Sequence, residues 1–327
     1  MYTEIKSISK IDSILGDAKE RYFSNGFRNI DFEYTNINIA RNSISCKLLF
    51  KTKDTWSKKL NHSLKPHLGT VEYFVISVLM SEILLKTVEG LSDEDISGAW
   101  VIDFCIKTRP NNNLEAELIN VNACVINSSA INNRDWQYKK IISIEIDTIS
   151  VTLIINHNSS QNISKINKSF YYDYASFIKN YNQNIYTYGY KCSYHTIKNI
   201  ELNCIDQEAT SNIELRHKYL NVKYNGLGSK YLNANLISDH ILVTGQLIQV
   251  LLYELDNITR EESNNLWLRE LHVSYPTPLI KQKTDNHIKN IDSRIISMKN
   301  ESWRMATIEA TQENIKSIFK VSHKLPH

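Results

Sequence analysis

Two apolar segments of helical period, set among strand-like sequence in the same order, constrain this chain more than any other feature. The first, HLGTVEYFVISVLMSEILLKTVEG, places Val71, Phe74, Val75, Val78, Leu79, Ile83 and Leu84 at helical spacing and ends on Gly90. The second, HILVTGQLIQVLLYELDNI, repeats that pattern with Ile241, Leu242, Gly245, Ile248, Leu251, Leu252 and Leu255. Apolar residues run all round the first segment, so its helix is expected to be buried on most sides. A helix of that kind needs strands to cover it.

The flanking sequence supplies them. IDFEYTNINIA and SISCKLLFKT read as paired strands before the first helix, and AWVIDFCIKTRP, LEAELINVNACVI and KKIISIEIDTISVTLII as three strands after it. In the second half YKCSYHTIKNIELNCI and SNIELRH come before the helix, and LWLRELHVSYP, HIKNIDSRIISM and WRMATIEATQ come after it. FYYDYASFIKNY reads as a short aromatic-rich helix. His67 and His240 lie 173 positions apart and Trp100 and Trp267 lie 167 apart, so the landmarks keep nearly one offset. This repetition predicts an α+β chain of two related halves, each an antiparallel sheet wrapped around a long apolar central helix. The first half spans residues 1–157, a linker poor in apolar residues spans 158–169, and the second half spans 170–327.

Composition narrows the function. With 38 Lys and Arg against 35 Asp and Glu, the charge of +3 is too small for a nucleic-acid footprint. No stretch reaches the length of a membrane span, and the N-terminus lacks a basic start followed by an apolar run. The five cysteines are odd in number and form no close pair, and Cys46, Cys105 and Cys124 sit in apolar strand-like runs. Buried thiols in a reducing compartment follow, which points to the cytoplasm. No Cys-x-x-Cys or helical His-x-x-x-His occurs, and NGLGSK lacks the spacing of a Walker loop, so neither a metal nor a cofactor is expected. The oligomeric state is not legible.

Three stretches together resemble the AvrD family, bacterial proteins associated with synthesis of the acylated sugar elicitors called syringolides. They are IDSILGDAKERYFSNGFRNI, KPHLGTVEYFVISVLMSEILL and NGLGSKYL. More remotely, SDHILVTGQLIQVLLYE is similar to the helix start of hotdog proteins, whose sheet wraps a central helix, and the doubled AfsA-type enzymes offer an analogue. The resemblance implies a double hotdog that transfers a β-ketoacyl chain from an acyl carrier protein or coenzyme A thioester to a keto-sugar hydroxyl. A dehydratase or thioesterase acting on such a thioester, and a non-enzymatic acyl-ligand binder, stay open.

Residues for that chemistry gather where the helices begin. His67 follows Pro66 at the start of the first helix, and an imidazole with an unperturbed pKa of about 6.5 suits proton abstraction. A helix N-terminus favours its neutral form and offers backbone N–H groups to an oxyanion, while Gly69 admits a close substrate. His67 reads equally well as a cap or a packed side chain. Asp239 and His240 hold the matching place in the second half, although Asp239 also reads as an ordinary capping residue. In double hotdog enzymes a His of one half and an acid of the other can share a tunnel, which makes His67 with Asp239 or His240 the preferred constellation. Glu72 and Glu82 on the apolar helix read first as edge residues facing solvent, and otherwise as tunnel residues. Gly245, Gln246 and Gln249 are candidates for a substrate lining. Lys65, Arg109 and Arg269 are cations suited to a phosphate at the tunnel mouth, and each also reads as a surface charge.

Overall fold

The computed structural model describes residues 5–52, 56–59, 62–108, 118–159, 170–172, 183–217, 223–263, 265–298 and 300–326. Strand β1 (Ile5–Lys10) and the one-turn helix α1 (Asp12–Leu15) open the chain, and β2 (Ile30–Ala40) and β3 (Ser43–Thr52) follow. A small ribbon, β4 (Lys58–Lys59) with β5 (His62–Ser63), precedes helix α2 (Thr70–Thr87) and the short helix α3 (Asp93–Gly98). Strands β6 (Trp100–Lys107), β7 (Leu118–Ala130), β8 (Tyr138–Ile146) and β9 (Ile149–His157) complete the first repeat. The second runs through β10 (Phe170–Tyr172), β11 (Ser193–Asn203), β12 (Glu208–His217), helix α4 (Ile237–Asp256), β13 (Trp267–Ser274), β14 (Lys283–Met298), β15 (Glu301–Gln312) and β16 (Ile315–Lys324).

The duplication shows in the hydrogen bonding. From its outer edge inward the first repeat orders its strands β2-β3-β7-β8-β9-β6, and the second orders them β11-β12-β14-β15-β16-β13. Taken in chain order these are the same permutation, and a four-residue 3-10 turn, Gly26–Asn29 or Gly189–Cys192, leads into each. The two sheets expected from the sequence are in fact one. β6 and β13 pair antiparallel, fusing both sets into a 14-stranded sheet. Cys105 faces His272 in that pair, with Phe104 opposite Val273 and Ile106 opposite Leu271. Each of the central two lies five positions after its strand's opening Trp, so a pseudo-twofold axis passes between them. The leading strands are exchanged about it, since β1 pairs with β11 and β10 with β2.

Helix α2 packs against β3, β7, β8 and β9, helix α4 against β11, β12, β14 and β15, and the helices touch each other. Every residue from Val71 to Leu85 is buried, as the all-round apolar sequence predicted. Each large aliphatic side chain buried this way contributes roughly 1.5–3 kcal/mol. Glu72 and Glu82 depart from the expectation of edge positions, because both are 0% exposed and accept hydrogen bonds from other segments, from Tyr22 and Asn184 respectively.

Local readings differ in three places. KKIISIEIDTISVTLII is two strands, since Asp147 takes φ 50° and turns the chain between Ile146 and Ile149. Strand β16 was not anticipated; its turn from β15 rests on Glu313 at φ 55°, with no Gly or Pro to mark it. In FYYDYASFIKNY, Phe170–Tyr172 forms β10 and the rest lies outside the described residues, as does the proposed linker beyond Ser159. No described helix is long and apolar enough to cross a membrane.

Candidate functional site

The two helix starts are built alike. The Glu72 carboxylate, third residue of α2, accepts the Gly69 N–H at 2.7 Å, and the Asp239 carboxylate, third residue of α4, accepts the Leu236 N–H at 3.0 Å. Each satisfies a backbone donor that a helix start would leave unpaired. The Tyr22 hydroxyl also donates to Glu72, and the Ser193 hydroxyl to Asp239. Burial pushes the Glu72 carboxyl up to about 7, against the pull of the Tyr22 and Gly69 donors. A methyl group on Gly69 would stand 2.5 Å from the Tyr22 hydroxyl, so glycine is what lets that hydroxyl in.

Above the start of α2 lies a cavity of about 390 Å³. His67, Leu68, Gly69 and Thr70 form one wall, Ile241, Gly245, Ile248 and Gln249 of α4 another, and Trp267 and Arg269 of β13 a third. The His67 ring stacks on Trp267, with centroids 5.6 Å apart, and meets Trp56 edge-on at 4.7 Å. Its Nδ1 lies 3.2 Å from the Lys65 carbonyl, which can only accept. In the neutral imidazole the proton therefore sits on Nδ1, and Nε2 carries the lone pair. Trp56 is fixed by a close approach: a methyl group on Gly26 would fall 1.7 Å from the Trp56 carbonyl oxygen.

Of the residues singled out in the sequence, His67, Gly69, Gly245, Gln249 and Arg269 line this cavity, while Lys65, Glu72, Gln246, Asp239 and His240 do not. Lys65 sits on an exposed loop and contributes its carbonyl to His67. Gln246 Nε2 turns to His195 Nε2 at 2.8 Å and to the Leu242 carbonyl at 3.1 Å. His240 is fully buried, bonded through Nδ1 to Gln312 Oε1 at 2.9 Å and through Nε2 to Ser317 Oγ at 2.8 Å. Burial holds its pKa down at about 4, opposed by the Gln312 bond. The expected sharing of a tunnel by His67 with Asp239 or His240 is therefore not the arrangement present. Asp239 caps its helix, and His240 lies one residue past that cap, inside the first turn, where it meets β15 and β16. Arg109 lies outside the described residues.

At the second helix start the equivalent described residues are packed against one another. Trp100, the counterpart of Trp267, is 2% exposed and packs edge-on against Tyr231 and Tyr275. Glu82, aligned with Gln249 by the 167-residue offset, accepts from Asn184 Nδ2 at 2.8 Å and from the Leu227 N–H at 2.9 Å. Gly226, at φ 102°, brings the loop this close; a methyl group there would stand 2.3 Å from Asn184 Nδ2. The first of the two equivalent positions borders the cavity.

Sequence reasoning missed Arg21, Tyr22, Lys59 and Arg260, all of which line the cavity. None lies on a periodic segment; Arg21 and Tyr22 belong to IDSILGDAKERYFSNGFRNI, and the AvrD resemblance of that stretch is their only signal. Among the described residues no group of His, Cys, Asp and Glu could hold a metal ion.

Fold and site define a duplicated α+β protein with a cavity at the start of its first long helix. The family described as Pseudomonas avirulence D protein (AvrD) matches residues 6–326, so the chain belongs to the AvrD family. No curated protein matches the chain. Among solved structures, a protein of Novosphingobium aromaticivorans described as a thioesterase aligns with a TM-score of 0.41 and 7% identity, over 90% of this chain and 99% of its own. A protein of Lactobacillus plantarum described as an oleoyl thioesterase gives 0.41 and 12%, over 91% and 96%. The dehydratase domain of the CurJ module of curacin polyketide synthase gives 0.35 and 10%, over 88% and 94%. Likenesses at that level decide neither fold nor chemistry.

Proposed function

We propose that this protein is an acyl-thioester enzyme of double hotdog architecture, with halves 1–157 and 170–327 joined by 158–169, working in the cytoplasm. It transfers a β-ketoacyl chain from a coenzyme A or carrier-protein thioester to a keto-sugar hydroxyl, as the family resemblance implies. The observation that carries the reading is the placement of His67, whose ring is held by Trp56, Trp267 and the Lys65 carbonyl on the wall of a cavity otherwise rich in apolar side chains. His67 Nε2 takes the proton of the acceptor hydroxyl as its oxygen attacks the thioester carbonyl. Backbone N–H groups in the first turn of α2, beginning with Thr70 on the cavity wall, steady the tetrahedral oxyanion. Its collapse breaks the C–S bond, and the departing thiolate takes the proton back from His67. Asp239 and His240 have structural duties in this scheme, as a helix cap and as a buried partner of Gln312 and Ser317.

Incubation with β-ketoacyl thioesters and keto-sugars, read by mass spectrometry, tests the proposal. An acylated sugar is expected, with His67→Ala losing at least about a hundredfold in rate while unfolding like the wild type. A free acid or an enoyl thioester in place of the acylated sugar would make the protein a thioesterase or dehydratase, and full activity in His67→Ala would remove the base assigned here.

A further inference from the structure

The cavity wall carries Arg21, Lys59, Arg260 and Arg269, and no Asp or Glu among the described residues that line it. Arg21 is only 4% exposed, and its Nε and Nη1 have no hydrogen-bond partner; Asp12 takes only its Nη2. Trp56, 5% exposed and also a lining residue, has a buried indole Nε1 that is likewise unpartnered. Leaving a buried donor unpaired costs about 1–3 kcal/mol, and more for a charged group. All three donors belong to side chains that line the cavity, and an acceptor-rich ligand there would satisfy them.

The cations are crowded as well as desolvated. Burial lowers the Arg21 pKa, which Asp12 opposes and the neighbouring charge of Arg260 lowers further. Burial likewise brings Lys59 down to about 8, again with Arg260 adding to the effect and Glu261 opposing it. Arg260 is pinned by the carbonyls of Glu20 and Lys58, and Lys59 by the Ser263 carbonyl at 2.6 Å, so the cluster cannot disperse into solvent. Positive charge held together at that cost is relieved by an anion, and two or three cations suit a dianion better than a monoanion.

We propose that Arg21, Lys59 and Arg260, with the Trp56 indole N–H, form a subsite for a dianionic phosphomonoester inside the cavity. The assignment rests on the function proposed above only in making that phosphomonoester the acceptor, a phosphorylated sugar whose hydroxyl is then directed toward His67.

Titration of the full-length protein with inorganic phosphate, followed by calorimetry and by tryptophan fluorescence, tests the subsite without any turnover. Binding is expected, weakened about tenfold or more in Lys59→Gln and in Arg21→Gln. Should Arg21→Gln fail to unfold cooperatively, Lys59→Gln decides the matter. Absence of phosphate binding at millimolar concentration, or unchanged affinity in folded variants, overturns the proposal. Glycerol 3-phosphate and dephospho-coenzyme A separate the two sources of phosphate. Tighter, Lys59-dependent binding of the monoester supports the subsite as stated, whereas binding of dephospho-coenzyme A alone overturns it and makes the cluster a seat for the diphosphate of the thioester donor. Because these measurements need no thioester, phosphate binding in a protein that transfers no acyl group sinks the function and leaves the subsite standing. Acyl transfer without phosphate binding does the reverse.

Discussion

Glu72 and Asp239 occupy the same place in the two repeats, 167 positions apart, each reaching back from the third residue of a buried helix to the N–H ahead of it. The two carboxylates differ in their second donor, a tyrosine hydroxyl for Glu72 and a serine hydroxyl for Asp239. The cavity lies beside the helix start that Glu72 caps, and the described residues beside the one that Asp239 caps are packed.

Trp100 and Trp267 are equivalent in sequence position and unequal in role. Trp100→Ala should cost about 3–5 kcal/mol of stability, because a 2% exposed indole leaves a void between Tyr231 and Tyr275. Trp267→Ala should cost roughly 1 kcal/mol, the scale of one ring contact, and should impair transfer by loosening His67. Urea unfolding and steady-state rates on both variants read the difference, and equal losses of stability would contradict it.

Gly226 holds the loop that closes the second helix start. Gly226→Ala sets a methyl group against the Asn184 amide and the Glu82 carboxylate at a left-handed φ of 102°, so a loss of about 2–4 kcal/mol is expected. Gly98→Ala, with nothing within 4 Å of its new methyl group, should change stability by less than about 0.5 kcal/mol. Thermal unfolding of the pair separates a requirement for glycine from mere occurrence of one.

Much of this fold could be read from residues alone, because burial writes itself into period. The strands at Ile30–Ala40 and Ser43–Thr52 and both long helices follow their apolar spacing closely. The duplication was visible in the Trp100 and Trp267 landmarks before the matching strand orders gave it a topology. The fusion through β6 and β13 had no such sign: an edge strand and a central strand carry similar apolar sequence, and only the partner differs. The site was legible where it coincides with a helix start, as at His67 and Gly69. It was hidden where function depends on distant segments meeting, as when Tyr22 reaches Glu72 or Arg260 comes beside Arg21 and Lys59. His240 misled for a related reason, since a histidine near a helix start looks the same in sequence whether it faces a cavity or a neighbouring strand.

Glu72 should make the protein less stable as pH rises. Its folded pKa, raised to about 7 mainly by burial, lies above the unfolded value of 4.5, so the folded state binds the extra proton between those limits. The stability this provides is complete below about pH 4.5 and is lost as pH climbs through about 7, a difference on the order of 3 kcal/mol. Glu72→Gln should abolish that slope, with the variant gaining on the wild type as pH increases. Urea midpoints measured from pH 5 to 8 decide it, and parallel curves for the two proteins would place the Glu72 pKa near its ordinary value.

The buried histidine of the second helix acts in the opposite direction. His240 is held at about 4 by burial, below the unfolded value of 6.5, so the unfolded chain binds the additional proton between these values. Its contribution is present above about pH 6.5 and is lost as pH falls through about 4, again on the order of 3 kcal/mol. His195, depressed to about 3 by burial and by the charges of Arg28 and Arg21, adds a second loss on the acid side. Over the shared window the Glu72 slope opposes those of His240 and His195, so the wild type should show a net dependence of about one proton where the histidines alone would give two. His240→Gln should expose the difference: lower stability at neutral pH, because the bonds to Gln312 and Ser317 are disturbed, and a flatter acid limb. Combined with Glu72→Gln, the slopes should add, since the two residues belong to different helix starts and share no partner in the structure. An acid limb that stays as steep in His240→Gln as in the wild type would show that His240 titrates near its ordinary pKa in the folded protein.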